Sequence, residues 1–228
     1  MLEHQFWHLC SPDTTAGLAE WVDGEVHTDK VICPVEDGHQ RGGKRLTNLS
    51  VMLPGRATKD FVWTWYSECL LTDRTLGVFA SQGFSGFEVK PVKAAFKRAQ
   101  RKPPRLWELV VTGWAGMAPA ESGIRLIEDC PACGLKRYSA WTNPERLVDA
   151  AEWDGSDFFM VWPLPGYIFV AGRVAQAIHE YALAGCALKP LADVVFPSGV
   201  IPSVGPGRLS YYMPEKRARE LGEPLGIY

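Results

Sequence analysis

Two cysteines two residues apart, Cys130-Pro131-Ala132-Cys133, followed by Gly134, are the residues of this 228-residue chain best placed to do chemistry. A CxxC turn lets two thiolates face one ion, and a glycine after the second cysteine supplies the positive φ that such knuckles use. A zinc site needs about four ligands in a tetrahedron, so two more donors are required. Residues 31–43, VICPVEDGHQRGG, open on the same Cys-Pro pair, at Cys33-Pro34. Glu36 stands where a second cysteine would be, and His39 follows three residues later. The candidate set is therefore Cys33, His39, Cys130 and Cys133, a Cys3His site for Zn2+, with His27, Glu36 and Cys10 in reserve for the fourth place. A CxxC pair also serves redox chemistry. The thioredoxin type, however, opens a helix after a strand, whereas CGLKRYSAW reads as a knuckle followed by a strand.

The elements that must position these donors show a pattern. Residues 61–92 and 160–191 align without a gap at an offset of 99, with six identities: Val62/Val161, Trp63/Trp162, Arg74/Arg173, Gly86/Gly185, Lys90/Lys189 and Pro91/Pro190. Each stretch reads as a short apolar strand (ECLLT, YIFVA), an amphipathic helix and a second strand (FEVKPV, CALKPL). In the second helix Val174, Ala177, Ile178 and Tyr181 recur at the 3.6-residue period. Gly86 and Gly185 are expected to end the helices as C′ residues, and Lys-Pro to close the strands. The expected fold is α+β: two related halves, each a Cys-Pro knuckle followed by a strand–helix–strand unit, descended by duplication. The boundary falls between residues 1–105 and 106–228. One ion holding a turn from each half would pin their orientation, which makes the expected zinc structural. An open catalytic zinc would call for an HExxH or His-x-Glu signature, and neither is present.

The rest of the chain supplies context. With 46% hydrophobic and 22% charged residues and a net charge of −2, it can bury a core and carries no overall bias toward nucleic acid or a membrane surface. There is no run of 18 apolar residues and no signal-peptide pattern, so a cytoplasmic protein without a membrane partner is expected, its cysteines serving as thiols or ligands. Residues 90–105 hold seven basic residues and no acid. They read as a solvated helix face, with a nucleic-acid patch as the competing reading. NLSVML and LWELVVTGWAG read as strands, residues 144 onward as a short helix capped by Asn143, and MPEKRARELG as a charged helix. Asp154 and Asp157 in WDGSD form a carboxylate pair that is more usually turn chemistry. His8, His179 and Cys186 are joined by no spacing. No GxSxG, P-loop or GxGxxG motif occurs.

CPxxxG early, CPACG late, WDGSDFF, IFVAGRVAQAI and a closing Gly-x-x-x-Lys-Pro together resemble the double-CXXCG proteins, a paralogous group of myxobacterial genomes. These in turn are similar to an immunity-protein family of polymorphic toxin systems. The resemblance spans residues 25–195 and is strongest over 124–191. It implies an immunity protein that neutralises a cognate toxin, with the paired turns as a structural zinc site. Cys33, Cys130 and Cys133 match the motif positions, and Glu36 departs from them.

The expected function is thus non-enzymatic: an immunity protein (antitoxin) whose partner is a cognate protein toxin, bound directly. Two other classes compete. One is a zinc-dependent hydrolase, or an enzyme that reverses a toxin's modification, in which Glu152, Asp154, Asp157 and His179 would act. The other is a nucleic-acid-binding zinc-ribbon protein using residues 90–105.

Overall fold

A computed structural model describes residues 5–12, 17–55, 57–98, 102–195, 200–201 and 208–228. Its elements run in chain order as β1 (Phe6–Cys10), β2 (Glu20–Trp21), β3 (Thr28–Val31), β4 (Arg41–Arg45), β5 (Ser50–Leu53), β6 (Phe61–Trp63), β7 (Cys69–Thr72), α1 (Asp73–Ser81), β8 (Phe87–Phe96), β9 (Leu106–Val111), β10 (Gly113–Met117), β11 (Leu126–Asp129), β12 (Lys136–Ser139), β13 (Phe158–Trp162), β14 (Ile168–Ala171), α2 (Gly172–Glu180), β15 (Ala187–Pro190), β16 (Val200–Ile201) and α3 (Glu215–Gly222). The fold is α+β and mostly sheet. A six-stranded sheet has the order β2-β5-β8-β9-β7-β6, and a five-stranded sheet the order β10-β13-β14-β1-β15. Hairpins β3–β4 and β11–β12, the latter extended by β16, stand apart from them.

Four strands of each large sheet follow one plan. In the first, Phe61 pairs with Leu71, Leu71 with Trp107, and Trp107 with Pro91. In the second, Phe158 pairs with Val170, Val170 with Trp7, and Trp7 with Pro190. One inner strand of each set lies across the expected boundary: β9, the next element after β8 in the chain, lies between β7 and β8, and β1 lies between β14 and β15. The boundary expected at residue 105 is therefore crossed in both directions. These pairings also correct part of the ungapped alignment. Phe61 occupies the place of Phe158, an offset of 97, whereas everything from β7 and β14 onward keeps the offset of 99. Val62/Val161 and Trp63/Trp162 are thus not equivalent positions, because the connection after the first strand absorbs two residues.

The same contacts recur where the two sets meet. The Phe61 N–H donates to Ala184 O at 3.0 Å, and the Phe158 N–H to Ser85 O at 3.1 Å. Asp60 accepts from the Ala184 N–H and pairs with Arg74, which also bonds Tyr181 O. Asp157 accepts from the Ser85 N–H and pairs with Arg173, which also bonds Gly83 O. A Cβ at Gly86 would lie 2.0 Å from Phe158 O, and one at Gly185 would lie 2.3 Å from Phe61 O. These glycines therefore allow backbone to cross backbone and do not end the helices. The left-handed C′ residues are Gly83 and Ala182, closed by Phe84 N–H to Phe79 O and Leu183 N–H to Ile178 O, the 6→1 bond of a Schellman turn.

Packing follows from the strand patterns. β7, β13 and β14 are apolar nearly throughout and are buried, as strands covered on both faces must be. The main core centres on Phe61, Phe79, Phe158, Phe159 and Phe169. A second cluster of Leu49, Val51, Leu53, Leu70 and Leu106 covers the other face of the six-stranded sheet.

Three local expectations fail for identifiable reasons. The basic segment is strand β8 as far as Phe96 rather than a helix; Lys93 pairs with Glu25, Lys97 with Glu20 and Arg105 with Asp73. Pro91 sits inside β8, where β5 begins pairing only at Lys93, so no ladder bond is lost at Pro91 on that side. Pro144–Arg146 is a single 3-10 turn, and Asn143 makes no capping bond through its side chain.

Candidate metal centre

The two Cys-Pro turns meet. Each closes a hairpin, β3–β4 or β11–β12, and the hairpins bring Cys33 Sγ to 3.8 Å from Cys130 Sγ. Cys133 Sγ lies 3.8 Å from His39 Nδ1. The donor atoms of Cys33, His39, Cys130 and Cys133 all lie within 4.8 Å of one another. A tetrahedron with Zn–S bonds of about 2.3 Å has S···S edges of roughly 3.8 Å, so the spacing suits a metal ion of that size. The three cysteines are buried and His39 nearly so, packed with Leu135 and Val31.

Local backbone explains how each thiol is presented. Cys33 Sγ accepts from the N–H groups of Val35 and Glu36, and Cys130 Sγ accepts from those of Ala132 and Cys133. Cys133 Sγ accepts from the Leu135 N–H. The first knuckle keeps this N–H···S pattern although its second cysteine is absent. Gly134 has φ 69°, as the sequence suggested. Its N–H bonds Cys130 O at 2.8 Å, and a Cβ there would meet the Arg208 guanidinium at 2.3 Å.

His39 is legible once Glu36 is understood. Glu36 does not approach the thiols. Its carboxylate accepts from the Gly38 N–H and caps the 3-10 turn Asp37–His39, which carries the imidazole into the cluster. His39 Nε2 then meets Glu128 Oε1 at 2.7 Å. This contact fixes the tautomer with Nδ1 free toward the thiols and raises the basicity of the ring. Arg41 spans both knuckles, donating to His39 O, Cys133 O and Cys133 Sγ. Among the reserves, Cys10 bonds Ala187 O on the five-stranded sheet, and His27 is exposed on the approach to β3.

The electrostatics favour anionic sulfur at Cys130 and Cys133 and oppose it at Cys33. Burial pushes the Cys133 thiol up, but bonds from Arg41, the Leu135 N–H, Cys33 and Cys130 outweigh it and bring it down to about 6. The Cys133 N–H leads in lowering Cys130. Cys33 is raised, burial dominating. His39 is raised first by its bond to Cys130 and then by Cys133 and Glu128. Three thiolates, a neutral imidazole and a dication sum to −1, and Arg41 sets a positive charge beside them.

The other candidate residues do not converge. Asp154 accepts from the Trp114 and Ser156 N–H groups and pairs with Arg217. Asp157 serves Ser85 and Arg173. Glu152 and His179 are exposed at separate places. Among the described residues no helix is long and apolar enough to cross a membrane. No protein-family model matches the chain, and no curated protein is significantly similar to it.

Proposed function

We propose that the chain is a non-enzymatic binding protein whose two hairpins are clamped by one structural zinc ion, and that it serves as an immunity protein neutralising a cognate toxin in the cytoplasm. The observation that carries the structural reading is closure of the site. Four protein donors supply every corner of the tetrahedron, and the far nitrogen of His39 is taken by Glu128. A catalytic zinc keeps a corner for water or substrate. The bound ion would supply cross-linking between sequence-distant hairpins, and Cys33, His39, Cys130 and Cys133 would hold it.

Duplication underlies this design. The repeat runs from β1 to β8 and again from β9 to β15, and the two copies have exchanged their first strands. Support comes from the matched registers, from Phe6-Trp7-His8-Leu9 against Leu106-Trp107-Glu108-Leu109, and from the knuckles, which lie 97 residues apart and face each other. Reciprocal exchange is the pattern of a swapped dimer fused into one chain.

A binding role is supported by the exposed apolar side chains Trp65 and Tyr66, on the loop between β6 and β7. Aromatic anchors of this kind dominate protein interfaces. The immunity reading rests on the resemblance of the knuckle and WDGSD motifs. Its test is co-expression with each protein encoded by the adjoining open reading frames. One of them should arrest growth alone and not together with this chain, and the two should co-purify. Arrest that persists in the presence of the chain, or the lack of any toxic neighbour, overturns the reading.

A further inference from the structure

Segment 208–228 folds back on itself. A 3-10 turn at Leu209–Tyr211 leads into α3, and the chain beyond α3 returns so that the Leu209 N–H donates to Ile227 O at 2.8 Å. The Arg219 guanidinium lies over the Tyr228 ring and pairs with Glu223. A helix of eight residues is not stable in water by itself, so the segment depends on the surface that receives it. One part of that surface is the sheets: Leu209, Met213, Ala218 and Ile227 join the main core, and Arg217 donates to Thr112 O at 3.1 Å and pairs with Asp154. The other part is the two metal-bearing hairpins. Glu215 pairs with Lys44 on β4 at 3.5 Å, and Arg208 packs on Gly134 of the second knuckle.

This half of the seat is composite. Lys44 belongs to one hairpin and Gly134 to the other, and the hairpins are tied through the donors: Cys33 to Cys130, His39 to Glu128, and Arg41 to Cys133. An ion bound by all four donors would hold both contact points in place at once. With it gone, buried thiols and an imidazole have little to draw them together, and the two contact points can part. The segment also forms a wall. Ser210–Met213 face Arg41–Arg45 across a cavity of about 530 Å³ that Glu68 and Glu108 also line.

We propose that segment 208–228 is a strap latched by the metal centre: the loaded site holds it down, and loss of the ion frees it and opens this cavity. The proposal rests on the structural-zinc reading and adds to it a response of the fold to metal supply.

The test is amide hydrogen exchange of the full chain, loaded with zinc and again after treatment with EDTA, with metal content measured on both samples. The N–H groups of Leu209, Met213, Ala218 and Ile227 are bonded within the segment. They should exchange about tenfold faster or more once zinc is removed, while β7, β13 and β14 keep their protection. Two outcomes overturn the latch and leave the structural zinc standing: the four amides stay protected after zinc has left, or the sheets lose protection along with them. A chain that takes up no zinc overturns the structural-zinc reading and the latch together.

Discussion

His39 Nε2 sits 2.7 Å from Glu128 Oε1, so one hydrogen bond between hairpins 89 residues apart in sequence turns the imidazole's other nitrogen toward three thiols. Glu128 also meets Arg137 at 2.7 Å, which holds the carboxylate in place. The ligand sphere and its support therefore come from both hairpins.

Metal content follows from this arrangement. Protein purified without added metal or chelator should carry one zinc per chain, and Cys33→Ser and Cys130→Ser should each lose it and lower the melting temperature. Glu128→Ala should keep the zinc but weaken its hold by about 10–100-fold in chelator competition, as loss of such a support typically does. Zinc retained in either serine variant would show that the two turns do not share an ion.

The crossing glycines differ from an ordinary helix glycine. Gly86→Ala and Gly185→Ala place a Cβ against a carbonyl oxygen at positive φ, and each should cost about 2–4 kcal/mol. Gly77→Ala lies in α1 with open space at its Cβ. It should stabilise by about 0.5–1 kcal/mol. Urea midpoints of the three variants check the contrast; equal effects would mean that the crossing is looser than described.

His8 provides a pH dependence. Burial, aided by Lys189, lowers its pKa from 6.5 to about 4, so the folded state holds the ring neutral where the unfolded chain protonates it. The neighbours are Lys189 on β15, Phe169 on β14, Cys10 on its own strand, and Tyr167, whose phenol burial pushes up to about 12. The sign is that of a depressed cation. There is no penalty above about pH 6.5, and the cost grows as pH falls toward 4, reaching about 3 kcal/mol at most. Measured against His8→Leu, the wild-type protein should lose that much stability between pH 6.5 and 4. Parallel curves would show that His8 protonates freely in the fold.

What could be read from the chain was local. Cys130 to Gly134 specify a knuckle because a CxxC turn and a positive-φ glycine are properties of five consecutive residues, and Cys33-Pro34 repeats the first part of that chemistry. The helix Gly172–Glu180 was visible in its apolar period, and Asp73–Ser81 in its alignment with that helix. His39 could be named only from proximity to Cys33, since its partner Glu128 carries no motif. Gly86 and Gly185 were recognisable as equivalent but not in role: helix ends and backbone crossings both call for glycine, and only the opposing carbonyls of Phe158 and Phe61 tell them apart.

The sequence by itself determined the knuckles and the two strand–helix–strand units, because each depends on spacing within a few residues; which residue joins Cys33, Cys130 and Cys133 stayed open among His39, His27, Glu36 and Cys10 until the fold brought His39 to them. Tertiary structure alone decided that β9 lies between β7 and β8 and β1 between β14 and β15, that Glu128 meets His39, and that Glu68 and Glu108 gather on Arg45. The physical reason is that strand pairing is made between residues far apart in the chain. A strand such as Phe6–Cys10 carries the apolar residues that bury it but no mark of which sheet will accept it.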